Sequence, residues 1–510
     1  MKVFNTINRT SKPADCVGGI PASQSPGLGL RGWARVWIVV AAVVAIWTTS
    51  AHAADKPNFL WLIAEDFGPE LACYGTKQVT SPNIDALAAS GMRYTRAYST
   101  APVCSASRSA FMTGMYQTTI GAHNHRSHRD DGYQLPTGVR VVTNWFRDAG
   151  YFTANVRDLP ASLGFKGSGK TDWNFTHDGK PFDGAAWSDL KSHQPFVAQI
   201  NFQETHRKFH APEKADPKLV EIPPYYPDHE ITRKDWAQYL DAASELDRKV
   251  GLILDQLKAD GMAENTVVIF TADHGQAHVR GKQFCYEEGL HVPLVIRWPS
   301  GLRAPKGYAP GAVSDRLVES IDIAPTILSL GGAGKPQHMQ GQAFLGDKTE
   351  IPRKYAFGAR DRCDETVFRL RTVRDDRYRY IRNFTPERPF LQDNDYKERS
   401  YPVWNLLKEL HAQGKLTPAQ EFLCQPTMPA EELYDLQADP HEIKNLADSK
   451  DPAHVEKLME LRGALEKWIE ETNDQGKTLE PKELAAAEGV TTPGGKPNAN
   501  PNPKKRNRKQ

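Results

Sequence analysis

The chain has 510 residues, 39% hydrophobic and 25% charged, with a formal net charge of +2 at pH 7. It is long enough to bury a large core and too long for one minimal domain, and its composition excludes a wholly disordered or fibrous protein. The first 53 residues carry five basic and one acidic side chain and the last 20 carry six basic and none acidic, which leaves a net −8 on residues 54–490 and argues against a nucleic-acid-binding body.

In chain order, Arg31 and Arg35 precede an apolar run from Val36 to Trp47, followed by the small-x-small triplet Ala51-His52-Ala53. This is a secretory signal pattern, and the run is shorter than the roughly 20 residues that span a bilayer. Residues 1–53 are therefore expected to be a signal peptide, cleaved near Ala53. The mature protein is expected to be exported, periplasmic or secreted, without a stable membrane span. Export permits disulfides, and the mature chain keeps Cys73, Cys104, Cys285, Cys363 and Cys424, an odd number that leaves at least one thiol unpaired.

Asn58–Ala64 is continuously apolar, as a strand buried on both faces would be, and ends at Glu65-Asp66. Ser81-Pro82-Asn83 opens a helix that Gly91 stops. Further helices are expected after Cys104, over 139–149, over 232–260 and over 321–330. Strands are expected at 152–156, 196–202, 266–272 (ending at Asp273-His274-Gly275) and 292–298. Alternating strands and helices predict a doubly wound α/β domain, with polar clusters at the carboxyl ends of strands, where such sheets bind ligands. After about residue 350 the pattern changes. Two alternating runs, 368–374 and 377–383, flank Asp375-Asp376 as a hairpin would, and a helix over 453–471 closes a smaller α+β domain. From about 473 the chain is rich in Pro, Asn and Lys and is expected to be a disordered basic tail.

Glu65, Asp66, Asp273 and His274 put three carboxylates and an imidazole at one sheet edge, a donor set for a hard cation, Ca²⁺ before Mg²⁺. A plain Cys104 thiolate matches such a metal poorly, because thiolates prefer softer ions. A hydrated aldehyde at that position would remove the mismatch.

Cys104-Ser105-Ala106-Ser107-Arg108, continuing to Thr113-Gly114, resembles the C-x-[PA]-S-R-x4-T-G signature of the formylglycine-dependent sulfatase family. NFLWLIAEDFG, TADHG with the following GK and YEEGLHVPLVIRWP, and ELYDLQADPHEIKNLA are similar to other segments of that family. Glu204-Thr205-His206-Arg207 and the overall layout resemble heparan N-sulfatase (sulfamidase)-like bacterial enzymes.

The resemblance implies an alkaline-phosphatase-like α/β fold: a large, mostly parallel sheet flanked by helices over 54–345, and a smaller C-terminal α+β domain with an antiparallel sheet over 346–472. It implies a formylglycine made from Cys104 by a separate formylglycine-generating enzyme. It implies Ca²⁺ held by Glu65, Asp66, Cys104, Asp273 and His274, with Arg108, His206, Lys282 and Lys170 as catalytic residues around the sulfate. The substrate implied is a sulfated carbohydrate, carrying a sulfate ester or a sulfamate.

One departure stands out. The family's G-K-x-H is displaced to Gly169-Lys170-Thr171-Asp172, with Asp172 where a histidine is usual. The missing imidazole is then expected from elsewhere, with His123, His125 and His128 as candidates. Arg360, Asp361 and Arg362, with His123, are candidate substrate-binding residues. Two alternatives stay open at this point: a phosphonate or phosphate ester hydrolase of the same superfamily, and a non-catalytic glycan-binding homologue.

Overall fold

Asn58–Ala64 (β1) forms the middle of a nine-stranded sheet because every one of its seven residues is buried and apolar, apart from Asn58 at its start. The other strands are Met92–Tyr98 (β2), Phe152–Asp158 (β3), Gly184–Ala186 (β4), Phe196–Phe202 (β5), Thr266–Ala272 (β6), His291–Arg297 (β7), Val313–Ser314 (β8) and Val318–Glu319 (β9). Their order is β4-β3-β5-β1-β6-β7-β2-β8, with β9 also on β2. The computed structural model describes residues 56–128, 131–478 and 480. The signal-peptide reading of 1–53 and the tail beyond 480 lie outside them.

Strands β4, β3, β5, β1 and β6 run parallel. β7 is antiparallel to both β6 and β2, so the sheet is mixed but mostly parallel. Register decides where the polar loops land. Ala64 pairs with both Phe202 and Ala272, so Glu65-Asp66, Gln203 and Asp273 emerge side by side. The ladder continues one step past the strands, Glu65 N donating to Phe202 O at 2.9 Å and Asp273 N to Ala64 O at 3.0 Å. Three loop origins are therefore fixed by backbone hydrogen bonds.

The helix Cys104–Thr113 packs with all ten residues buried, although it holds three serines and an arginine. Its polar atoms find partners: Ser105 Oγ lies 2.9 Å from His125 Nδ1, Ser99 Oγ donates to Ser107 Oγ at 2.9 Å, and Ser109 Oγ accepts from Asn174 N at 2.9 Å. It ends at Gly114, which is left-handed (φ 65°) and abuts Met339, so a side chain there meets both strain and a clash.

The second sheet is antiparallel: Ala356–Arg360 (β10), Leu370–Arg374 (β11), Tyr378–Asn383 (β12) and Glu431–Asp435 (β13), in that order. The hairpin expected around Asp375-Asp376 joins β11 to β12. The helix Pro452–Glu471 lays Leu458, Leu461, Leu465 and Trp468 against Val373, Tyr380 and Leu433. Residues 473–478, read from sequence as the start of the tail, instead pack here. Asp474 is buried and answers the buried guanidinium of Arg371 (Nη2 to Oδ1, 2.9 Å), and Gln475 N donates to Thr118 O at 3.0 Å. No helix of the described residues is long and apolar enough to cross a membrane. The five described cysteines are all unpaired.

Candidate active site

Four buried side chains meet at the carboxyl ends of β1 and β6 and the first turn of the Cys104 helix. Asp66, Cys104, Asp273 and His274 each present one ligand-type atom, all within 4.8 Å of one another. Cys104 Sγ lies 3.3 Å from His274 Nε2 and 3.5 Å from Asp66 Oδ1. His274 Nδ1 is 3.1 Å from its neighbour's carbonyl, Gly275 O, which turns Nε2 to the cluster, 3.1 Å from Asp66 Oδ1. Gly275 has no alternative residue: a Cβ there would run into the Glu288 carbonyl.

Cations surround this donor set. Lys282 Nζ donates to Asp66 at 2.7 and 3.0 Å and to Cys104 Sγ at 3.3 Å. Arg108 Nε donates to Asp273 Oδ2 at 2.9 Å and its Nη1 to Asn201 Oδ1 at 2.7 Å. Glu65 stands beside the group of four, its carboxylate accepting from Lys170 Nζ at 2.9 Å and Ser168 Oγ at 3.1 Å.

The electrostatics follow. Burial alone would raise the Cys104 thiol, but Lys170 and Lys282 outweigh it and bring it down to about 6. Burial also opposes ionisation of Asp66 and Asp273. Lys282, His206 and His274 hold the first well below the carboxylate range, and Arg108, followed by His274 and Lys170, holds the second at about 2. His274 resists burial through Asp273 and Asp66, which lift it to about 10. Two carboxylates, an imidazole and a fourth atom converging in a dry site are the donor chemistry of a divalent cation. The oxygen donors suit Ca²⁺ or Mg²⁺, while the His274 imidazole and the sulfur of an unmodified Cys104 are the softer members of the set.

The displaced Gly169-Lys170 is explained by β3. The chain leaves that strand, makes an excursion, and returns with Gly167 N on Arg157 O (3.0 Å) and Ser168 N on Asn201 O (2.9 Å). Asn155 Nδ2 then fixes Gly169 O at 2.7 Å. Lys170 thus arrives at the cluster, while Asp172 lies 3.8 Å from it and 3.9 Å from Arg126.

Of the histidines expected outside the metal set, His206 is the one at the cluster. Its Nε2 is 3.3 Å from Lys282 Nζ and 3.9 Å from Asp66 Oδ2, and its ring is a quarter exposed. His125 is engaged with Ser105, behind the nucleophile. His128 pairs with Asp131 and stacks on Tyr133, with ring centres 4.0 Å apart. His123 is buried and lines a separate cavity of about 590 Å³ with Thr119, His128, Tyr133 and Asn473.

Arg360, Asp361 and Arg362 are buried, at 1%, 5% and 5% exposure, and their named partners are internal. Arg360 lies over the Phe284 and Phe368 rings and donates to Thr366 Oγ1 at 2.6 Å. Asp361 accepts from Arg371 at 3.0 Å, and Arg362 pairs with Glu480.

Two supporting cations have no role in the sequence reading, although Arg207 stands in its Glu204-Thr205-His206-Arg207 motif. Arg207 pairs with Asp235 on the long helix Glu230–Ala259 and donates to Ala277 O at 2.7 Å, tying the His206 loop to the Asp273–Lys282 loop. Lys397 is fully buried and donates to Lys282 O at 2.8 Å. Nothing in its local sequence separates Lys397 from a surface cation. A cleft of about 380 Å³ lined by Gln203, Glu204, His206, Lys208, His210 and Lys249 opens beside His206.

Known proteins of similar sequence narrow the chemistry. The Sulfatase family model matches residues 57–333, and the model described as N-sulphoglucosamine sulphohydrolase, C-terminal, matches 275–395. An ulvan-active sulfatase of Formosa agariphila is 34% identical over 475 residues, covering 84% of this chain and 77% of that protein. The human N-sulphoglucosamine sulphohydrolase is 26% identical, covering 82% and 91%. Among solved structures, a 2-O GAG sulfatase superposes with a TM-score of 0.58 at 20% identity, covering 85% of this chain and 96% of that one, a likeness of fold.

Proposed function

The chain belongs to the sulfatase family of sulfuric ester hydrolases, and on that premise we propose that it is an exported enzyme removing sulfate from a carbohydrate, through a formylglycine made from Cys104 and a bound Ca²⁺. The observation that carries this reading is the placement of Cys104 among Asp66, Asp273 and His274, with Lys282 Nζ 3.3 Å from its sulfur. We assign the cation to Asp66, Asp273, His274 and residue 104, with Glu65 completing the shell. A formylglycine hydrate at residue 104 would supply a nucleophilic oxygen, and a cation held by these residues would draw charge from a sulfate oxygen.

The remaining roles belong to side chains of this chain. Lys282 and Lys170 donate to the sulfate oxygens, in a buried site where fixed donors are worth more than in water. Arg108 fixes the Asp273 carboxylate and keeps a guanidinium beside the nucleophile helix. His206 Nε2 holds the proton that the departing sugar atom needs, since it is the imidazole at the cluster with an open side. Arg207 and Asp235 position that ring from behind. Arg360, Asp361 and Arg362 form a buried wall rather than a sugar contact, and His123 belongs to the neighbouring cavity.

The substrate class follows the relatives' names, an ulvan-active sulfatase and an N-sulphoglucosamine sulphohydrolase. The net −8 of the body disfavours a long polyanion groove and favours a short chain or a chain end. Export through residues 1–53, maturation by a formylglycine-generating enzyme, and division at 345/346 into catalytic and C-terminal domains complete the proposal.

The test is a panel of N-, 2-O-, 3-O- and 6-O-sulfated sugars, with a phosphate and a phosphonate ester beside them, assayed for released anion. We expect sulfate release from at least one sugar and faster turnover there than on either phosphorus ester. Release from O-sulfates alone removes the sulfamate. Faster turnover of the phosphorus esters contradicts the reading.

A further inference from the structure

Eight non-glycine residues among those described hold a left-handed backbone. Five of them, Asp66 (φ 52°), Arg126 (φ 59°), Asp172 (φ 53°), Gln283 (φ 80°) and Asp364 (φ 50°), sit on five different loops that converge on the nucleophile. Such a conformation costs an L-residue about 1–2 kcal/mol, and strain of this kind collects where a side chain must be aimed. Asp tolerates it through local hydrogen bonds, but Arg has no such compensation.

Arg126 is the residue to explain. Its backbone N–H donates to Ser105 Oγ at 2.8 Å, so it is anchored to the first turn of the nucleophile helix, one residue from Cys104. Its side chain is 48% exposed, unlike the inner cations. Lys282, Arg108 and Lys170 already hold carboxylates at 2.7, 2.9 and 2.9 Å. The ion pair of Arg126 is to Asp172 at 3.9 Å, longer than the 2.7–2.9 Å or so of a charge-assisted hydrogen bond, and Asp172 is shared with Lys170 at 3.8 Å. Asp172 is 6% exposed, so the carboxylate is the buried member of the pair and Arg126 the accessible one. On the facing loops, Gln283 Nε2 donates to Asp364 Oδ2 at 3.0 Å, and His125 Nε2 is 3.9 Å from Asp364 Oδ1. The acidic group on that side is thus already engaged.

We propose that Arg126 recognises a second negative charge on the substrate, a carboxylate or another sulfate on the sugar that bears the scissile sulfate or on its neighbour, with Asp172 as the positioning residue beneath it. A planar guanidinium at the rim matches such an oxyanion with two parallel hydrogen bonds. This makes the enzyme selective for doubly charged sugars, and it rests on the sulfatase reading above.

The full-length chain carrying Cys104→Ala, with and without Arg126→Ala, would be titrated by calorimetry with three ligands: glucosamine N-sulfate, glucosamine 2-N,6-O-disulfate, and an N-sulfated disaccharide containing a uronic acid. We expect the parent to prefer one doubly charged ligand over the singly charged one by about 10- to 100-fold, the effect of one charge-assisted contact. The Arg126→Ala protein should retain a preference of about threefold or less, and Arg126→Lys should fall between, because it keeps the charge and loses the fork. Loss against the disulfate alone identifies sulfate as the charge read, and loss against the uronide alone identifies carboxylate. Equal preference in parent and Arg126→Ala, or no binding of either doubly charged ligand by the parent, overturns the proposal. Turnover is measured separately on the unsubstituted enzyme. Failure to release sulfate from any sugar there counts against the sulfatase reading, whatever the binding ratios.

Discussion

Replacing Cys104 by alanine is expected to lower sulfate release by at least about 10⁴-fold while sulfated sugars still bind, the pattern produced when a nucleophile is deleted from a site whose binding groups remain. The geometry makes the separation clean. Lys282 is held by Asp66, Lys170 by Glu65 and Arg108 by Asp273, and none of these pairs uses the sulfur as its main anchor. Cys104 is 1% exposed, and trimming it removes one atom from a polar, well-connected pocket. The stability cost should be about 1 kcal/mol, within the range of small buried deletions. Steady-state release and calorimetric binding on the same protein check both halves. Sulfate release within tenfold of the parent would remove Cys104 from the chemistry.

The second large effect is Arg108→Ala. Arg108 is 1% exposed and holds Asp273 Oδ2 at 2.9 Å and Asn201 Oδ1 at 2.7 Å. Its loss leaves a buried carboxylate without its principal cation. Removing one partner of a buried pair costs about 3–5 kcal/mol, far more than the pair itself adds. The double variant Arg108→Ala/Asp273→Asn should therefore recover much of that loss, as coupled residues do in a mutant cycle. Activity should behave differently. It falls by about 10²–10³-fold in the single variant, the usual effect of losing a preorganised electrostatic group, whereas the double variant also lacks a carboxylate assigned to the cation and is compared for stability alone. Unfolding by denaturant across the four proteins and initial rates of the parent and Arg108→Ala provide the check. Activity of Arg108→Ala within tenfold of the parent would make Arg108 structural only.

The sequence exposed the centre of this site because each cluster follows an uninterrupted apolar run. β1 ends at Glu65-Asp66 and β6 at Asp273-His274, and parallel strands deliver their carboxyl ends to one edge. The Cys104 helix and Lys282 came from a motif, and Lys170 survived its displacement because Asn155 and Asn201 bring the excursion back. Other features had no one-dimensional trace. β7 reads like its parallel neighbours, since a strand buried on both faces looks the same in either direction. Arg360, Asp361 and Arg362 read as charged residues at a strand end and are buried, because Phe284 and Glu480 come from distant parts of the chain and Phe368 and Arg371 face them only once β10 and β11 pair. Asp474 was assigned to a tail by composition, and a single buried guanidinium at Arg371 holds it in place. Arg126 is visible only through its backbone angle and its exposure.

Residue 104 is expected to be a formylglycine in the working enzyme. The direct measurement is the intact mass of the peptide spanning 97–126, isolated from protein made in its native host. The expected mass is that of an aldehyde or its hydrate at position 104, in a fraction of molecules that tracks specific activity. A fully active preparation whose residue 104 is entirely an unmodified cysteine would contradict it.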